Sequence, residues 1–191
     1  MRTTCKFAVA LTLTAAASAA VAADLRYDYL EGGYQNVDLD NPGVDGDGLF
    51  LGGSLLLAQS FFLAADFDYA DFDRGVDARS IELGGGVRFP LAPSLDLVLG
   101  GGYVDVEVDT RFGDFDDDGL FLRGGVRWLA TDQVELKALL NYVDLDESGD
   151  DTGVDLGVVV HLQPQLALLA GVEIADDADV VNLGLRYHFR R

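Results

Sequence analysis

The chain has 191 residues and a formal net charge of -20 at pH 7, and 49% of its residues are hydrophobic. A charge of this sign argues against nucleic-acid binding through a basic patch. The single cysteine, Cys5, lies near the N-terminus, so we expect no disulfide framework and no thiol active site in the rest of the chain. No run of about 18 apolar residues follows residue 23, which excludes a bundle of transmembrane helices.

Residues 1–23 are typical of a secretory signal peptide. Arg2 and Lys6 precede an apolar run from Phe7 to Val21, and small residues at 20–23 provide an A-x-A-like cleavage site. We expect cleavage to leave one domain over residues 24–191. A short N-terminal anchor helix is the alternative.

Ten segments of the remaining chain alternate between apolar and polar residues, which predicts β-strands with two different faces. These segments are 25–38, 48–58, 61–72, 79–89, 95–109, 119–129, 134–145, 153–162, 166–175 and 180–189. Eight or twelve strands are the alternative counts. The fifth segment changes its apolar face near Gly101, from Leu99 to Val104, which predicts a glycine bulge. The faces of the first segment cannot be assigned, because Tyr27, Tyr29 and Glu31 share one face.

The connections between these segments form two alternating sets. One set is short, at residues 59–60, 90–94, 130–133 and 163–165, and the other is rich in Asp and Gly, at 40–47, 73–78, 110–118, 146–152 and 176–179. Short turns on one rim and longer polar loops on the other are typical of outer-membrane barrels. The sequence therefore predicts an all-β, antiparallel, up-and-down transmembrane β-barrel with both termini on the periplasmic side. A soluble sandwich or a lipocalin-like barrel is the alternative.

The last segment shows most clearly which face meets lipid. Val181, Leu183, Leu185, Tyr187 and Phe189 alternate with polar, small or charged residues, so the apolar face points outward. Aromatic residues end several strands beside the short turns, as an interfacial girdle requires. These residues are Phe89, Trp128, Tyr187 and Phe189.

Several charged residues lie on the opposite face, where they would point into the lumen. An Arg or Lys facing lipid at the midplane would cost about 2–4 kcal/mol, so the inward assignment is favoured. The predicted lumen charges are Asp66, Asp68, Glu82, Arg88, Arg123, Arg127 and Arg186. They form either interior salt bridges that plug a narrow lumen or a cation-preferring pathway.

Two acidic stretches partly match the opening of a calcium-binding loop. Residues 114–119 contain its D-x-D-x-D-G pattern but have Gly125 at the twelfth position, and residues 144–149 match less well but have Asp155 there. Both lie between predicted strands and lack the flanking helices of an EF-hand. Weak calcium or magnesium binding is therefore predicted for Asp114, Asp116, Asp118, Asp144, Asp146 and Asp155. The alternative is that these loops are simply solvated.

An enzyme is not expected. His161 and His188 both fall near predicted periplasmic strand ends, so no general base is available at the outer rim. Beyond weakly bound calcium or magnesium, no cofactor is expected.

The C-terminal residues Asn182, Gly184, Tyr187 and Phe189 resemble the signal that the barrel-assembly machinery reads in outer-membrane proteins. Arg190 and Arg191 then follow Phe189, where that aromatic residue is usually the last. The opening Tyr27-x-Tyr29-Leu30-Glu31-Gly32-Gly33-Tyr34 is similar to small outer-membrane barrels of Gram-negative bacteria, of OmpA-like or porin-like type. Some of these have been labelled diffusible quorum or elicitor factors. The resemblance implies a location in the bacterial outer membrane and insertion by the barrel-assembly machinery.

Three functions are compatible with this interpretation. The leading one is a structural or surface-interaction role, in which acidic extracellular loops bind divalent cations or lipopolysaccharide. The second is a narrow channel for small solutes, and the third is a shed or vesicle-borne signalling factor.

Overall fold

A computed structural model describes residues 25–39, 44–72, 75–111, 113–176 and 178–189. In these ranges the chain forms ten strands: β1 (Tyr29–Leu39), β2 (Val44–Leu56), β3 (Phe61–Phe72), β4 (Val76–Ala92), β5 (Leu95–Thr110), β6 (Gly113–Thr131), β7 (Val134–Leu145), β8 (Gly149–Gln163), β9 (Leu166–Ala175) and β10 (Ala178–His188). Neighbouring strands pair antiparallel, and β1 pairs with β10 to close the barrel. The predicted all-β antiparallel barrel and its count of ten strands are confirmed. The predicted signal peptide lies outside the described residues and stays a prediction.

The alternation of faces holds around the wall. In β10, Leu183 and Leu185 are exposed on the outside, whereas Arg186 and His188 are buried inside. The aromatic residues at the short-turn ends, Phe89, Trp128, Tyr187 and Phe189, are exposed as a girdle requires. No helix long and apolar enough to cross a membrane occurs in the ranges that the structure describes.

The bulge predicted in the fifth strand is absent, and that prediction was wrong. The strand β5 keeps one register with β4 and β6 through Gly101, so Val104 is buried in the lumen and Tyr103 points outward. The strand keeps one outward face throughout. Only the polarity of that face changes, because the outer part of β5 projects beyond the apolar layer into water. Register shifts occur instead beside the short turns, between Pro90 and Ala92 and at the equivalent ends of β6 and β8.

The long acidic loops are also a wrong prediction. Most of their residues lie in strands: β6 begins at Gly113 and β8 at Gly149, so residues 114–118 pair with β5. Backbone hydrogen bonding does not depend on side-chain polarity, so the hairpins continue past the membrane with Asp side chains on them. The remaining outer connections are short, at residues 40–43, 73–75, 111–112, 146–148 and 176–177.

Glycines make the closing seam possible. Gly33 lies opposite Gly184 where β1 meets β10. A Cβ on Gly184 would lie 2.4 Å from the carbonyl oxygen of Gly32, and one on Gly33 would lie 2.2 Å from that of Leu183. The ring of Phe50 covers both positions from the lumen, 2.8 Å from each added Cβ. A side chain at either position would therefore force the two backbones apart.

One turn at the outer rim is held by a carboxylate of the neighbouring hairpin. Asp117 of β6 accepts hydrogen bonds from the backbone N–H groups of Glu147, at 3.1 Å, and Ser148, at 2.8 Å, and from the Ser148 hydroxyl. These hydrogen bonds stabilise the ionised carboxylate and hold the pKa of Asp117 below its usual value. The bond from the Ser148 hydroxyl contributes most to this shift. The ionised carboxylate therefore fixes the 146–148 turn.

We predict that replacing Gly184 with Ala destabilises the barrel by about 1–3 kcal/mol, because the added methyl group overpacks the seam. The measurement is urea unfolding of the refolded protein, followed by the fluorescence of Trp128. Gly124→Ala is the matched control, since its added Cβ would meet the flexible end of Leu99 at 3.0 Å. Equal stability of the two variants would contradict this role of Gly184.

We predict that the 146–148 turn loosens in acid. A lowered pKa means that the stabilisation is complete above about pH 4, the usual pKa of an aspartate, and is lost as the pH falls through the lowered value. Hydrogen-exchange protection of the Glu147 and Ser148 amides should therefore drop in acid and in Asp117→Asn. The Asp146 amide is the internal control, because it bonds to the Asp118 backbone carbonyl at 2.9 Å. A parallel loss at all three amides would show that the carboxylate is not the cause.

Candidate functional site: an acidic collar above a closed lumen

A row of outward-facing tyrosines marks the outer edge of the apolar wall. The row comprises Tyr34, Tyr69, Tyr103 and Tyr142, on the alternate strands β1, β3, β5 and β7. The Tyr69 hydroxyl donates to Asp77 at 2.9 Å, and Tyr34 donates to Asp47. Along β3, the apolar face from Phe61 to Tyr69 covers about 20 Å of height, at about 3.3 Å per residue and a tilt of about 40°. This row escaped prediction, although Tyr-x-Asp recurs at 69, 103 and 142.

Beyond the tyrosine row the outer surface of the strands becomes acidic. We call its outward-facing carboxylates the acidic collar: Asp38, Asp45, Asp47, Asp71, Asp77, Asp105, Glu107, Asp109, Asp114, Asp116, Asp118, Asp144, Asp150 and Asp179. On the same face of the described strands, Arg79 is the basic exception, and it forms an ion pair with Glu107.

Many collar carboxylates lie directly opposite one another on paired strands. Asp77 lies opposite both Asp71 and Asp109, and Asp109 also lies opposite Asp114. Side chains in such positions have Cβ atoms about 4.5–5.5 Å apart, and facing like charges destabilise a sheet. The collar is therefore a region of concentrated negative charge on the outside of the barrel.

The six residues predicted to bind metal do not meet in one site. Asp114, Asp116 and Asp118 lie on the outer face of β6, Asp144 on that of β7, and Asp146 in the following turn. Asp155 instead faces the lumen and pairs with Lys137 at 2.6 Å. In the part of the chain that the structure describes, no group of three or more acidic, His or Cys side chains is arranged to hold a metal ion. An extended strand, unlike a calcium loop, holds alternate residues about 7 Å apart with parallel side chains, so their carboxylates do not converge on one ion.

All seven predicted lumen charges face inward, and most of them are paired. Arg123 contacts Glu82 at 2.5 Å and Asp66 at 3.5 Å, linking β6 to β4 and β3. Arg88 contacts Asp96 at 3.5 Å near the short-turn end. Asp68 lines the central cavity.

A second network, deeper and more buried, crosses the lumen below Arg123. Arg127 pairs with Glu135 at 2.7 Å, and Arg186 pairs with Glu31 at 2.6 Å. Arg186 also lies 3.8 Å from Glu135, which joins the two pairs. Exposure is 5% for Arg127, 2% for Glu135 and 4% for Arg186. We call these four residues the lower network. Glu31 escaped prediction because the face of the first strand did not resolve.

The described residues line at least two cavities in the lumen. The larger, of about 500 Å³, extends from the lower network towards the outer rim and is lined by Asp68, Lys137, Asn141 and Glu173 among others. The smaller, of about 100 Å³, lies among Tyr27, Phe62 and Arg127 at the short-turn end. The lower network and the side chains around Tyr27 separate the larger cavity from the periplasmic mouth.

The two histidines lie near the periplasmic end, as predicted. His188 is fully buried, and its ring centroid lies 5.4 Å from that of His161. The collar lies at the opposite end of the strands. The absence of an enzymatic activity stays a prediction.

The four residues of the proposed assembly signal take different positions in β10 and just after it. Asn182 and Gly184 face inward, and Gly184 closes the seam with β1. Tyr187 and Phe189 are exposed on the lipid side near the periplasmic end. Arg190 and Arg191 lie outside the described residues. Recognition by the barrel-assembly machinery stays a prediction.

Similar solved structures include the KdgM porin (12% identity, covering 85% of this chain and 99% of that chain, TM-score 0.48) and OprG of Pseudomonas aeruginosa (14%, 90% and 100%, TM-score 0.49). Ail, the attachment invasion locus protein of Yersinia pestis, is also similar (15%, 85% and 99%, TM-score 0.42). None of these likenesses bears on what the chain binds. The comparison with curated proteins gives no match.

A family model agrees with the wall described above. The family described as "Outer membrane protein beta-barrel domain" matches residues 7–189, nearly the whole chain. An apolar belt between two aromatic rows, closed by the pairing of β1 with β10, is the architecture that such a family requires. The chain therefore belongs to the outer membrane protein β-barrel family and resides in the bacterial outer membrane.

Proposed function

We propose that this barrel has a surface-interaction role, in which its acidic collar binds lipopolysaccharide through divalent cations. The observation that carries the proposal is the rows of facing carboxylates outside the tyrosine row, such as Asp77, Asp109 and Asp114. They point away from the barrel, at the level where the headgroups of neighbouring membrane lipids lie. The collar is thus positioned for contact with the membrane surface rather than with the lumen.

The charges of the collar and of lipopolysaccharide explain why divalent cations are needed between them. Carboxylates and lipopolysaccharide phosphates are both negative and repel each other without a bridging cation. Calcium takes 6–8 oxygen ligands, and the described residues offer no group of three that could hold it alone. A facing carboxylate pair supplies part of the oxygen shell, and phosphates of the lipid complete it.

Transport is supported less well than surface binding. A barrel of about ten strands has a lumen close to the width that side chains fill. Here Arg127, Glu135 and Arg186 narrow it at the periplasmic end in buried ion pairs. A closed lumen beneath an acidic collar favours a function at the outer surface.

We predict that removing collar charge raises the stability of the barrel without divalent cations and lowers the stabilisation that it gains with them. The triple variant Asp109→Asn/Asp114→Asn/Asp116→Asn removes charges that face one another or Glu107 on the β5–β6 hairpin. In EDTA it should be more stable than the wild type, by roughly 0.2–1 kcal/mol per facing pair, because repulsion is relieved. With lipopolysaccharide and calcium, it should lose part of the stabilisation that the wild type gains. Urea unfolding under both conditions measures the two effects.

Asp132→Asn is the control, because it removes an exposed carboxylate at the opposite rim, in the 132–133 turn. It should leave the gain from lipopolysaccharide and calcium unchanged. If calcium gives the wild type no gain, or gives the triple variant the same gain, the collar does not bind lipopolysaccharide in this way.

A further inference from the structure

We propose that residues Leu25–Asp28, which precede β1, form a displaceable plug that closes the periplasmic mouth of a narrow, cation-preferring passage. The plug segment is not part of any strand, yet two of its side chains are buried inside the barrel. Leu25 is 6% exposed and Tyr27 is 2% exposed. They pack against Val98 and Leu129, which face the lumen from β5 and β6.

Side chains of the wall hold the plug in place. Arg127 donates to the carbonyl oxygen of Arg26 at 2.9 Å, and Arg88 donates to that of Leu25 at 3.3 Å. The Tyr27 hydroxyl donates to Asp96 at 2.9 Å. Its ring lies 4.2 Å from the Arg127 guanidinium and 5.1 Å from that of Arg88, within the range of cation–π attraction.

The segment can move without unzipping a strand. The wall holds Leu25, Arg26 and Tyr27 through individual side chains, whereas each barrel strand is held by a continuous backbone ladder. At its end, Asp28 is anchored by the backbone N–H groups of Leu56, at 3.0 Å, and Phe189, at 3.3 Å. Asp28 can therefore act as a hinge while Leu25 and Tyr27 leave the mouth.

A route leads upward from the plug. Tyr27 lines the small cavity of about 100 Å³. That cavity shares six lining residues with the larger cavity of about 500 Å³: Glu31, Asp66, Phe121, Arg123, Lys137 and Arg186. The two cavities thus adjoin at these side chains, and withdrawal of the Tyr27 ring opens the lower cavity to the periplasm.

The charges along this route select cations. Eight acidic side chains face the larger cavity, among them Asp68, Asp151 and Glu173, against three basic ones, Arg123, Lys137 and Arg186. An excess of carboxylates in a narrow pore favours cations over anions.

Planar-bilayer recordings of protein purified from membranes test the plug. The wild type should show no channel current, and Tyr27→Ala should show discrete current steps. The reversal potential of these steps in a KCl gradient should indicate that potassium permeates better than chloride. Tyr27→Phe is the matched control: it keeps the ring against Phe62, at 5.3 Å between centroids, and loses only the bond to Asp96. It should be silent or open far less often than Tyr27→Ala.

Two outcomes would overturn the proposal. One is a folded Tyr27→Ala protein, shown by heat-modifiable gel migration, that is as silent as the wild type. The other is a wild type that conducts as Tyr27→Ala does.

If the Tyr27→Ala protein fails to fold, a second measurement still tests the proposal. The variant Leu25→Cys should react with a water-soluble maleimide at least about tenfold more slowly than Gln133→Cys, because thiol reactivity requires access to solvent. Gln133 lies in an exposed turn of the same rim. Equal rates would show that the segment does not occupy the mouth.

Discussion

The buried ion pair between Arg127 and Glu135 is the interaction on which the rest of the barrel depends. Both groups lie inside the wall, where an unpaired charge would cost about 3–5 kcal/mol once its partner is lost. Glu135 also contacts Arg186, which pairs with Glu31, so the network joins β6 and β7 to the closing seam of β1 and β10. Arg127 additionally holds the plug segment. One set of pairs thus fixes strand positions, narrows the lumen and holds the plug segment in the periplasmic mouth.

Above this network the strands continue past the membrane. The same alternation of faces persists there, but the outward face now meets water instead of lipid. Within the apolar layer, Leu and Val point outward and charges point inward. Beyond Tyr103, the outward positions of β5 hold Asp105 and Asp109, while Val104 packs inside. The backbone ladder continues across this boundary, so the same strand pairing positions the acidic collar and the lipid-facing wall. An array of facing carboxylates held in this way suits the proposed cation-bridged contact with lipid phosphates.

Strand number, closure and most side-chain faces could be predicted from the sequence, because a period of two is unambiguous where lipid lies outside, as in β10. The predictions failed where that assumption ended. The outer part of β5 suggested a bulge because its polarity inverts in water, and Asp-rich residues 114–118 suggested a loop because composition does not reveal backbone pairing. Glu31 was missed because Tyr27, Tyr29 and Glu31 share one face, and only the closed barrel shows Arg186 beside it. The inside of the lumen depends on contacts between distant strands.

A double-mutant cycle between Arg127→Met and Glu135→Leu, measured by urea unfolding, tests most directly whether buried pairing organises this barrel. Each single variant should lose about 3–5 kcal/mol of unfolding free energy, since it leaves a buried charge without its partner. The double variant should lose far less than the sum of the two, because apolar side chains of similar volume replace both charges. Additive losses would contradict the central role of this pair.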